Sequence, residues 1–501
     1  MRRVGSMLVS VFAFCAGAAG AAVAQTAPSP EPQRPAAVIH HQVSSNPQAQ
    51  AAFDRGLFDY YAYNPEAAEH EFYTAADLDK TLAMAYWGIA ISNAPNLNVP
   101  PTDDREQQAA DAIKKAKELE GSATPEDRAL IDAAAVRFTA GPTGKIPAQL
   151  AAYRDALQRI ALQYPADPDA QALYGETALY VPLFSEKNGF DQLTPAQRAA
   201  LRARVATLLP FFQANLATFP LHVGLLHFYV HAAQIAGQSQ LALNAARQLA
   251  AFGLPPEGSH LTHMPGHIFF DLGLYDEALG VGQRSVAMDD ADFACCHPGY
   301  YSAPRYYHHH NTNFLLYALT QAGHAGAAVA IARDSGDKAF LARQLVADGQ
   351  YPAVLDVPYV KGKNATLAFS RGIAFAHMGD EARAQATLSE IPDAPAESPS
   401  QAATVAAMRL TVAAMIAERA KDNAKALALL ERASAEDTKG DTLGQAEIPA
   451  LFYYSPHMSL AGLAIEMGKP DLARAALQAE LAASPRSSSA TQMLSQLQIA
   501  H

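Results

Sequence analysis

The amino-acid sequence predicts an all-α protein built as an α-solenoid of stacked helical hairpins. From Gln48 onward it is rich in Ala, Leu, Gln, Glu and Arg, and apolar residues recur at positions i, i+3, i+4 and i+7. Alternating runs of β-branched residues are nearly absent. Segments of the chain also resemble one another at a spacing of about 34 residues. Such an array grows by adding hairpins, so a chain of 501 residues does not require one large core.

The composition and charge of the chain exclude several classes of protein. Hydrophobic residues make up 50% of it and charged residues 17%, which is unlike an intrinsically disordered chain. Three cysteines cannot build a disulfide scaffold. The net charge of −12 gives no basic field, so we expect no nucleic-acid partner. We also expect no transmembrane helix after the N-terminal segment, because no stretch offers about 18 uninterrupted apolar residues.

The N-terminal segment, residues 1–24, is typical of a cleaved signal peptide. Arg2 and Arg3 precede an apolar run, and residues 22–24 (AVA) supply the small side chains that a signal peptidase reads. The organisation is bacterial in style, so the sequence predicts a periplasmic or secreted protein. Residues 25–47 are rich in Pro, Ala and Gln and are expected to form a disordered leader.

The repeat array is predicted to span residues 48–495. Its clearest copies cover residues 49–82, 259–292 and 454–487. In the first copy Gly56 is followed by Phe72, and Trp87 and Gly88 open the next unit. Small residues allow two helices to cross closely, while an aromatic ring fills the space between hairpins. These positions are therefore expected to lie in the core.

The pattern resembles the tetratricopeptide repeat. The chain is similar to a family of bacterial exported tetratricopeptide-repeat proteins with AYWGIA and HMPxHI segments. The corresponding segments here are AYWGIAISNAPNLN (85–98), LHFYVHAAQ (226–234), HMPGHIFFDLGLYDEA (263–278) and YHHHNTNFLL (307–316). The resemblance implies a concave groove lined by the first helix of each hairpin, and it implies no reaction.

Histidines are concentrated in the middle of the chain, where ten of the seventeen fall within 89 residues. His227 and His231 are four residues apart, and so are His263 and His267. The second pair follows the first by 36 residues. The repeat therefore places the same pair twice, at the fifth and ninth residues of two first helices. This matched register distinguishes the four histidines from isolated ones.

The spacing allows these side chains to form one metal site. Residues four apart on a helix are roughly 5–6 Å apart, and adjacent helices are roughly 8–10 Å apart. Four imidazoles can therefore converge on one ion at about 2.0–2.1 Å. His260 and His310 fall at the second residue of their repeats, on the same wall. Pro265 disfavours helix at Met264, so we expect a helix to begin near Pro265, with His263 on the preceding turn.

We accordingly predict a site for a transition metal, zinc, copper or iron, in the concave groove. The predicted ligands are His227, His231, His263, His267 and His310. Glu176 occupies the ninth residue of its own repeat and is expected to act as a carboxylate ligand or a general base. A metalloenzyme of unknown substrate would fit this arrangement, although the familiar hydrolase, redox, zinc-protease and nucleotide motifs are absent.

A second interpretation of the same histidines stays open at this point. They also fit a metal-free scaffold that hydrogen bonds to a small molecule, an extended peptide or an envelope protein in the groove.

An insertion at 291–308 is predicted between two repeats. Cys295 and Cys296 within it are compatible with a vicinal disulfide, buried thiols or soft ligands to copper near His297. The insertion is rich in Tyr, Gly and Pro and is expected to cross the groove as a lid. The run His308–His310 is expected to lie in a loop, with only its last member on the inner wall.

Overall fold

The structure, a computed structural model, describes residues 34–35, 39–96, 102–142, 146–184, 193–295, 302–393, 399–444 and 454–499. These residues are almost entirely α-helical, and the strand pairing among them is a two-residue parallel pair, Arg34–Pro35 with Phe252–Gly253. The predicted all-α solenoid is confirmed. The predicted signal peptide, most of the predicted leader, Cys296 and His297 lie outside the described residues.

The first part of the array consists of nine helices among the described residues up to position 218. Their bounds are α1 (Pro47–Tyr61), α2 (Pro65–Leu78), α3 (Ala83–Ser92), α4 (Asp103–Leu119), α5 (Pro125–Phe138), α6 (Ile146–Gln163), α7 (Pro168–Phe184), α8 (Pro195–Ala206) and α9 (Leu209–Thr218). Successive helices pack on one another, as α1 does on α2 and α2 on α3.

The middle of the array contains the histidine-rich segments. Its helices are α10 (Val223–Ile235), α11 (Leu243–Ala250), α12 (Ser259–His263), α13 (Pro265–Asp271), α14 (Tyr275–Cys295) and α15 (Ser302–Gln321). Both α1 and α7 pack against α10, so the start of the array covers this middle part.

The remaining helices continue the array toward the C-terminus. They are α16 (Ala325–Asp334), α17 (Lys338–Ala347), α18 (Tyr351–Asp356), α19 (Ala365–His377), α20 (Glu381–Thr387), α21 (Pro399–Arg419), α22 (Asn423–Gly444), α23 (Pro456–Glu466), α24 (Pro470–Ala483) and α25 (Ser488–Ile499). The apolar core follows the array as a series of clusters.

Several helices begin at a proline that follows a capping residue. Thr124 and Thr194 accept hydrogen bonds from the backbone N–H of Asp127 and Gln197, whose side chains bond back to the cap. These capping boxes satisfy N–H groups that the helix itself leaves unpaired. Proline at the first helical position loses nothing, because its missing N–H would have no partner there.

The close helix crossing predicted for the first repeat is present. Gly56 and Gly88 both face the ring of Phe72, which is fully buried. A Cβ atom at Gly56 would lie 2.9 Å from that ring, and one at Gly88 would lie closer still. Both helices can therefore contact Phe72 only because these two positions lack a side chain.

The end of the predicted leader is packed on the array. Residues 39–46 precede α1, and His41 places its ring between two carboxylates: Nε2 is 2.9 Å from Asp127 and Nδ1 is 3.3 Å from Asp169. The expectation of a disordered leader over 25–47 therefore extends too far. The composition of the segment gave no sign of His41, a partly buried histidine whose two carboxylate partners lie more than 80 residues away in the chain.

The histidine run belongs to a helix and not to a loop. His308–His310 lie within α15, and Cys295 is the last residue of α14, so both ends of the predicted insertion are helical. The ring of His309 stacks on Phe340 at 4.6 Å between centroids. Packing against a neighbouring helix thus orders a run that composition alone assigned to a loop.

One described helix, α21, is long and apolar enough to cross a membrane by length and composition, which the sequence analysis did not expect. Half of its most apolar window is buried, and it packs extensively against α22. Arg409 lies near its middle and donates hydrogen bonds to Ile391 and Asp393. The structure accounts for α21 as a helix of the array.

Candidate metal centre

Six histidines from four helices form one buried cluster. Helix α10 supplies His227 and His231, α12 supplies His260 and His263, α13 supplies His267, and α15 supplies His310. The first five are between 0% and 3% exposed, and His310 is half-buried. The predicted position on the wall of a concave groove therefore does not match the structure.

Aromatic rings close the cluster from the side of α1 and α15. The ring of Tyr63, just beyond α1, lies 4.5 Å from that of His227 and stacks on His260 at 5.5 Å between centroids. The ring of Tyr307 lies 4.4 Å from His260. These contacts exclude solvent from imidazoles that the repeat pattern alone would place on an inner surface.

The first histidine group consists of His227, His231 and His260, whose ligand nitrogens all lie within 4.8 Å of one another. Nε2 of His227 is 3.2 Å from Nε2 of His260. Nδ1 of His227 is 2.7 Å from the carbonyl oxygen of Tyr61, which can only accept. Nδ1 must therefore carry the proton, and Nε2 is left with a lone pair directed into the group.

The second histidine group consists of His263, His267 and His310, with ligand nitrogens again within 4.8 Å of one another. Nε2 of His263 is 2.9 Å from Nε2 of His267 and 3.0 Å from Nε2 of His310. One imidazole nitrogen has a single proton or a single lone pair, so it cannot satisfy both neighbours by hydrogen bonding. The Gln234 amide lies 2.9 Å from Nδ1 of His267 and orients that ring.

The nitrogen separations match those around a bound ion. Two nitrogens 2.9–3.2 Å apart, each bonded to a metal at about 2.0–2.1 Å, subtend an angle of about 90–105° at the metal. That range lies between octahedral and tetrahedral geometry. These three separations therefore suit pairs of ligands on one transition-metal ion.

Burial keeps the imidazoles neutral. It lowers the pKa of all six histidines, to about 3 for His227 and to about 4 for His310, and neighbouring histidines lower several of them further. At neutral pH each ring therefore has a lone pair available for a metal. Nε2 of His231 and Nδ1 of His260 are buried without a hydrogen-bond partner, which is costly unless something binds them.

The local geometry around Pro265 is only partly as predicted: a helix begins at Pro265, but His263 is the last residue of a preceding helix and does not lie on a turn. Helix α12 ends at His263 and α13 begins at Pro265, with His267 inside it. Met264 between them keeps helical dihedrals, with φ −51° and ψ −40°. The change of helix at this point lets His263 and His267 bring their Nε2 atoms together.

Glu176 lies outside both histidine groups. Its carboxylate, on α7, accepts hydrogen bonds from the hydroxyl groups of Tyr60, at 2.5 Å, and Tyr180. Tyr180 in turn is 2.6 Å from the hydroxyl of Tyr63, whose ring contacts His227. Burial raises the pKa of Glu176 to about 7. The predicted carboxylate is thus connected to the cluster through two tyrosines and not by direct contact.

A third group of potential ligands, His41, Asp167 and Asp169, was missed by the sequence analysis. With Glu126 and Tyr164 they line a cavity of about 430 Å³. Burial alone would lower the pKa of His41, but hydrogen bonds to two carboxylates outweigh it and raise that pKa well above its ordinary value. A protonated imidazole has no lone pair, so we interpret this group as an ion-pair network and not as a metal site.

His222 has a structural role at the start of α10. It caps α10 by accepting the N–H of Leu225 at 3.2 Å, and its Nε2 lies 3.1 Å from Asp169. No nitrogen of this ring remains for a metal.

Comparisons with known proteins assign the chain to no family. No family model matches the sequence, and no curated protein matches it. Solved structures that it resembles include the Cut9–Hcn1 hetero-tetramer of the APC/C, at 12% identity and a TM-score of 0.30, covering 91% of this chain and 97% of that chain. The TPR domain of P58(IPK) is 11% identical with a TM-score of 0.24, covering 90% and 97%.

Yeast Tom70 is 11% identical with a TM-score of 0.31, covering 90% of this chain and 95% of that chain. The structural neighbours are tetratricopeptide-repeat proteins. At these identities and TM-scores the likeness carries no information about function.

Proposed function

We propose that this chain is an exported helical-repeat protein that binds a transition metal, zinc, copper or iron, in its buried histidine cluster. The observation that supports it most is the second histidine group, where Nε2 of His263 faces two other Nε2 atoms at 2.9 and 3.0 Å. Neutral imidazoles suit these metals, whereas calcium and magnesium prefer oxygen ligands.

The bound metal would first of all hold helices together. Its ligands come from α10, α12, α13 and α15, so metal binding would be coupled to the packing of the middle of the array. Five of the six rings are at most 3% exposed, which leaves little access for a large substrate. Glu176 lies outside both histidine groups, so it keeps a place in this proposal only as a general base and not as a ligand.

The competing candidate is a metal-free scaffold that binds a peptide, a small molecule or an envelope protein, which a helical-repeat array favours. The histidines do not support it, because a ligand in a groove cannot reach rings as buried as these. The unpartnered Nε2 of His231 also has no role in such a scaffold.

The proposed location, the periplasm or the extracellular space, is supported by the signal-like pattern of residues 1–24. Mass spectrometry of the protein from its native host tests it. A mature N-terminus at Gln25 is expected, and an intact N-terminal segment in the cytoplasm would contradict export.

Elemental analysis tests metal binding. Protein purified from its native compartment is compared with the double variant His231→Ala, His267→Ala, which removes one ligand from each histidine group. We expect bound zinc, copper or iron in the wild type and a loss of most of it in the variant. Less than about a tenth of an equivalent in the wild type, unchanged in the variant, would overturn the proposal.

A further inference from the structure

We infer that the cluster holds two transition-metal ions, one in each histidine group, and this rests on the proposed function. The inference concerns the first group, His227, His231 and His260, and the second group, His263, His267 and His310. The repeat spacing predicted that the ligands converge on one ion. The structure divides them differently.

A single ion cannot bind all six rings. Nitrogens bonded to one ion at about 2.1 Å can be no more than about 4.2 Å apart. The ligand nitrogens of the described residues lie within 4.8 Å of one another only as two sets of three. Ring centroids are 4.7–6.2 Å apart within the groups, and the contacts between the groups, His260 with His263 at 6.2 Å and His231 with His267 at 6.3 Å, lie at or beyond the long end of that range.

The repeat register explains why there are two sets. His227 and His231 take their third partner, His260, from the second position of the next repeat, and the pair His263 and His267 takes its third partner, His310, from the second position of the repeat after that. The same construction, a pair from one hairpin and a single residue from the following one, thus occurs twice. The repeat of the helical hairpins therefore accounts for the repeat of the three-histidine group.

Helix α12 contributes to both groups. It contains only the residues Ser259–His263, and its two histidines lie three residues apart. His260 turns to His227, with their Nε2 atoms 3.2 Å apart, while His263 turns to His267 and His310. Residues three apart share one face of a helix, so the two ions would lie next to each other along the same face of this short helix.

The chemistry of both groups is the same. Each offers three imidazoles and, in the part of the chain that the structure describes, no carboxylate or thiolate joins either set. Imidazole ligands favour copper and zinc. A cavity of about 10 Å³ next to His260, lined also by Asn64, Ser259 and Tyr307, is large enough for about one water molecule. The proposed occupants are thus two transition-metal ions of the same kind, zinc, copper or iron.

Metal stoichiometry tests the inference. The full mature chain is stripped with a chelator, incubated with excess Zn²⁺, passed through a desalting column and analysed for zinc per chain. The experiment is repeated with Cu²⁺. The wild type should retain about two ions, because each group closes its own coordination sphere.

Two variants assign each ion to its group. His231→Gln breaks the first group and His310→Gln breaks the second, and each should retain about one ion. Glutamine preserves most of the side-chain volume, and circular dichroism checks that both variants stay helical. The matched control is His70→Gln, which changes an exposed histidine of α2 and should leave the stoichiometry at the wild-type level.

The outcomes separate the two proposals. One ion per chain in the wild type overturns the two-ion inference and leaves the proposed function in place. No retained ion overturns both. Because the wild-type value alone decides between zero, one and two, the test does not depend on the folding of any variant.

Discussion

Nδ1 of His227 donates a hydrogen bond to the carbonyl oxygen of Tyr61 across 2.7 Å, although the two residues are 166 positions apart in the chain. The bond joins the end of α1 to the centre of the first histidine group. It also directs the lone pair of Nε2 toward the metal position. The start of the array and the proposed metal site are therefore one structural unit.

The hydrogen bond between His227 and Tyr61 predicts that metal binding also stabilises parts of the protein that contain no ligand, including the end of α1. A ligand that binds only the folded state at 100 times its Kd adds about 2.7 kcal/mol to the free energy of unfolding. We expect Zn²⁺ to raise the Tm and to slow hydrogen exchange at the end of α1 as well as in α10. Thermal scans and hydrogen-exchange mass spectrometry of the apo and the metal-loaded protein measure both effects. An exchange rate at the end of α1 that is the same with and without Zn²⁺ would contradict a coupling between α1 and the metal site.

A buried ion pair stabilises the N-terminal part of the array. Arg137 and Glu106 form two hydrogen bonds of 2.8 and 2.6 Å, with side chains 0% and 3% exposed. Glu106→Leu leaves the guanidinium buried without its partner and should cost about 3–5 kcal/mol of unfolding free energy. Chemical denaturation of this variant and of Glu106→Leu, Arg137→Met checks it. The double variant should recover much of the loss, and equal losses in both would argue against a pairing effect.

The crossing at Phe72 predicts a difference between two glycines. Gly88→Ala forces a methyl group into the Phe72 ring and should destabilise the protein by about 1–3 kcal/mol. Gly280, inside α14, has nothing within 4 Å of an added Cβ. Gly280→Ala should therefore be neutral or stabilise the helix by up to about 1 kcal/mol. Urea unfolding of the two variants gives the comparison, and similar effects at both positions would contradict the close crossing.

The His41 network predicts a pH dependence of stability. Burial lowers the pKa of His41, but hydrogen bonds to Asp127 and Asp169 outweigh burial and raise this pKa above its ordinary 6.5. The protonated ring therefore stabilises the folded protein fully below pH 6.5, and this stabilisation is lost as the pH rises through the pKa that His41 has in the folded state. Burial would raise the pKa of Asp169, but His222 and His41 lower it below 3.8. That contribution is present above pH 3.8 and declines as the pH falls further.

His41→Gln isolates this effect. The variant should be less stable than the wild type by about 1.5–3 kcal/mol between about pH 4 and 6.5. The difference should shrink at higher pH. Urea unfolding at a series of pH values measures it, with His70→Gln as an exposed control. A difference that grows above pH 7 would contradict a protonated His41.

The fold and the histidine pairs were predictable because both depend on local periodicity. Spacing along one helix sets which residues share a face, and the 36-residue offset of His263 from His227 reports the repeat itself. The same periodicity anticipated the Gly56–Phe72 contact. These features need no knowledge of distant contacts.

The grouping of the ligands was not predictable in this way. His260 pairs with His227 through packing between helices 33 residues apart in the chain, and the burial of the cluster depends on Tyr63 and Tyr307. His41 gave no signal, because its partners are 86 and 128 residues away. Glu176 had the expected repeat position, but three tyrosine hydroxyls occupy its surroundings.

Each histidine group takes its third residue from the following hairpin, and this determines what happens to the metal sites when hairpins are added or removed. Along a row built by this rule, every centre spans a junction between neighbours, so the number of centres is always one fewer than the number of histidine-bearing units. Here three histidine-bearing repeats, which begin at Val223, Ser259 and His309, form two junctions. Inserting one more unit in register would add one whole centre, whereas removing the last would leave a bare pair with no third nitrogen.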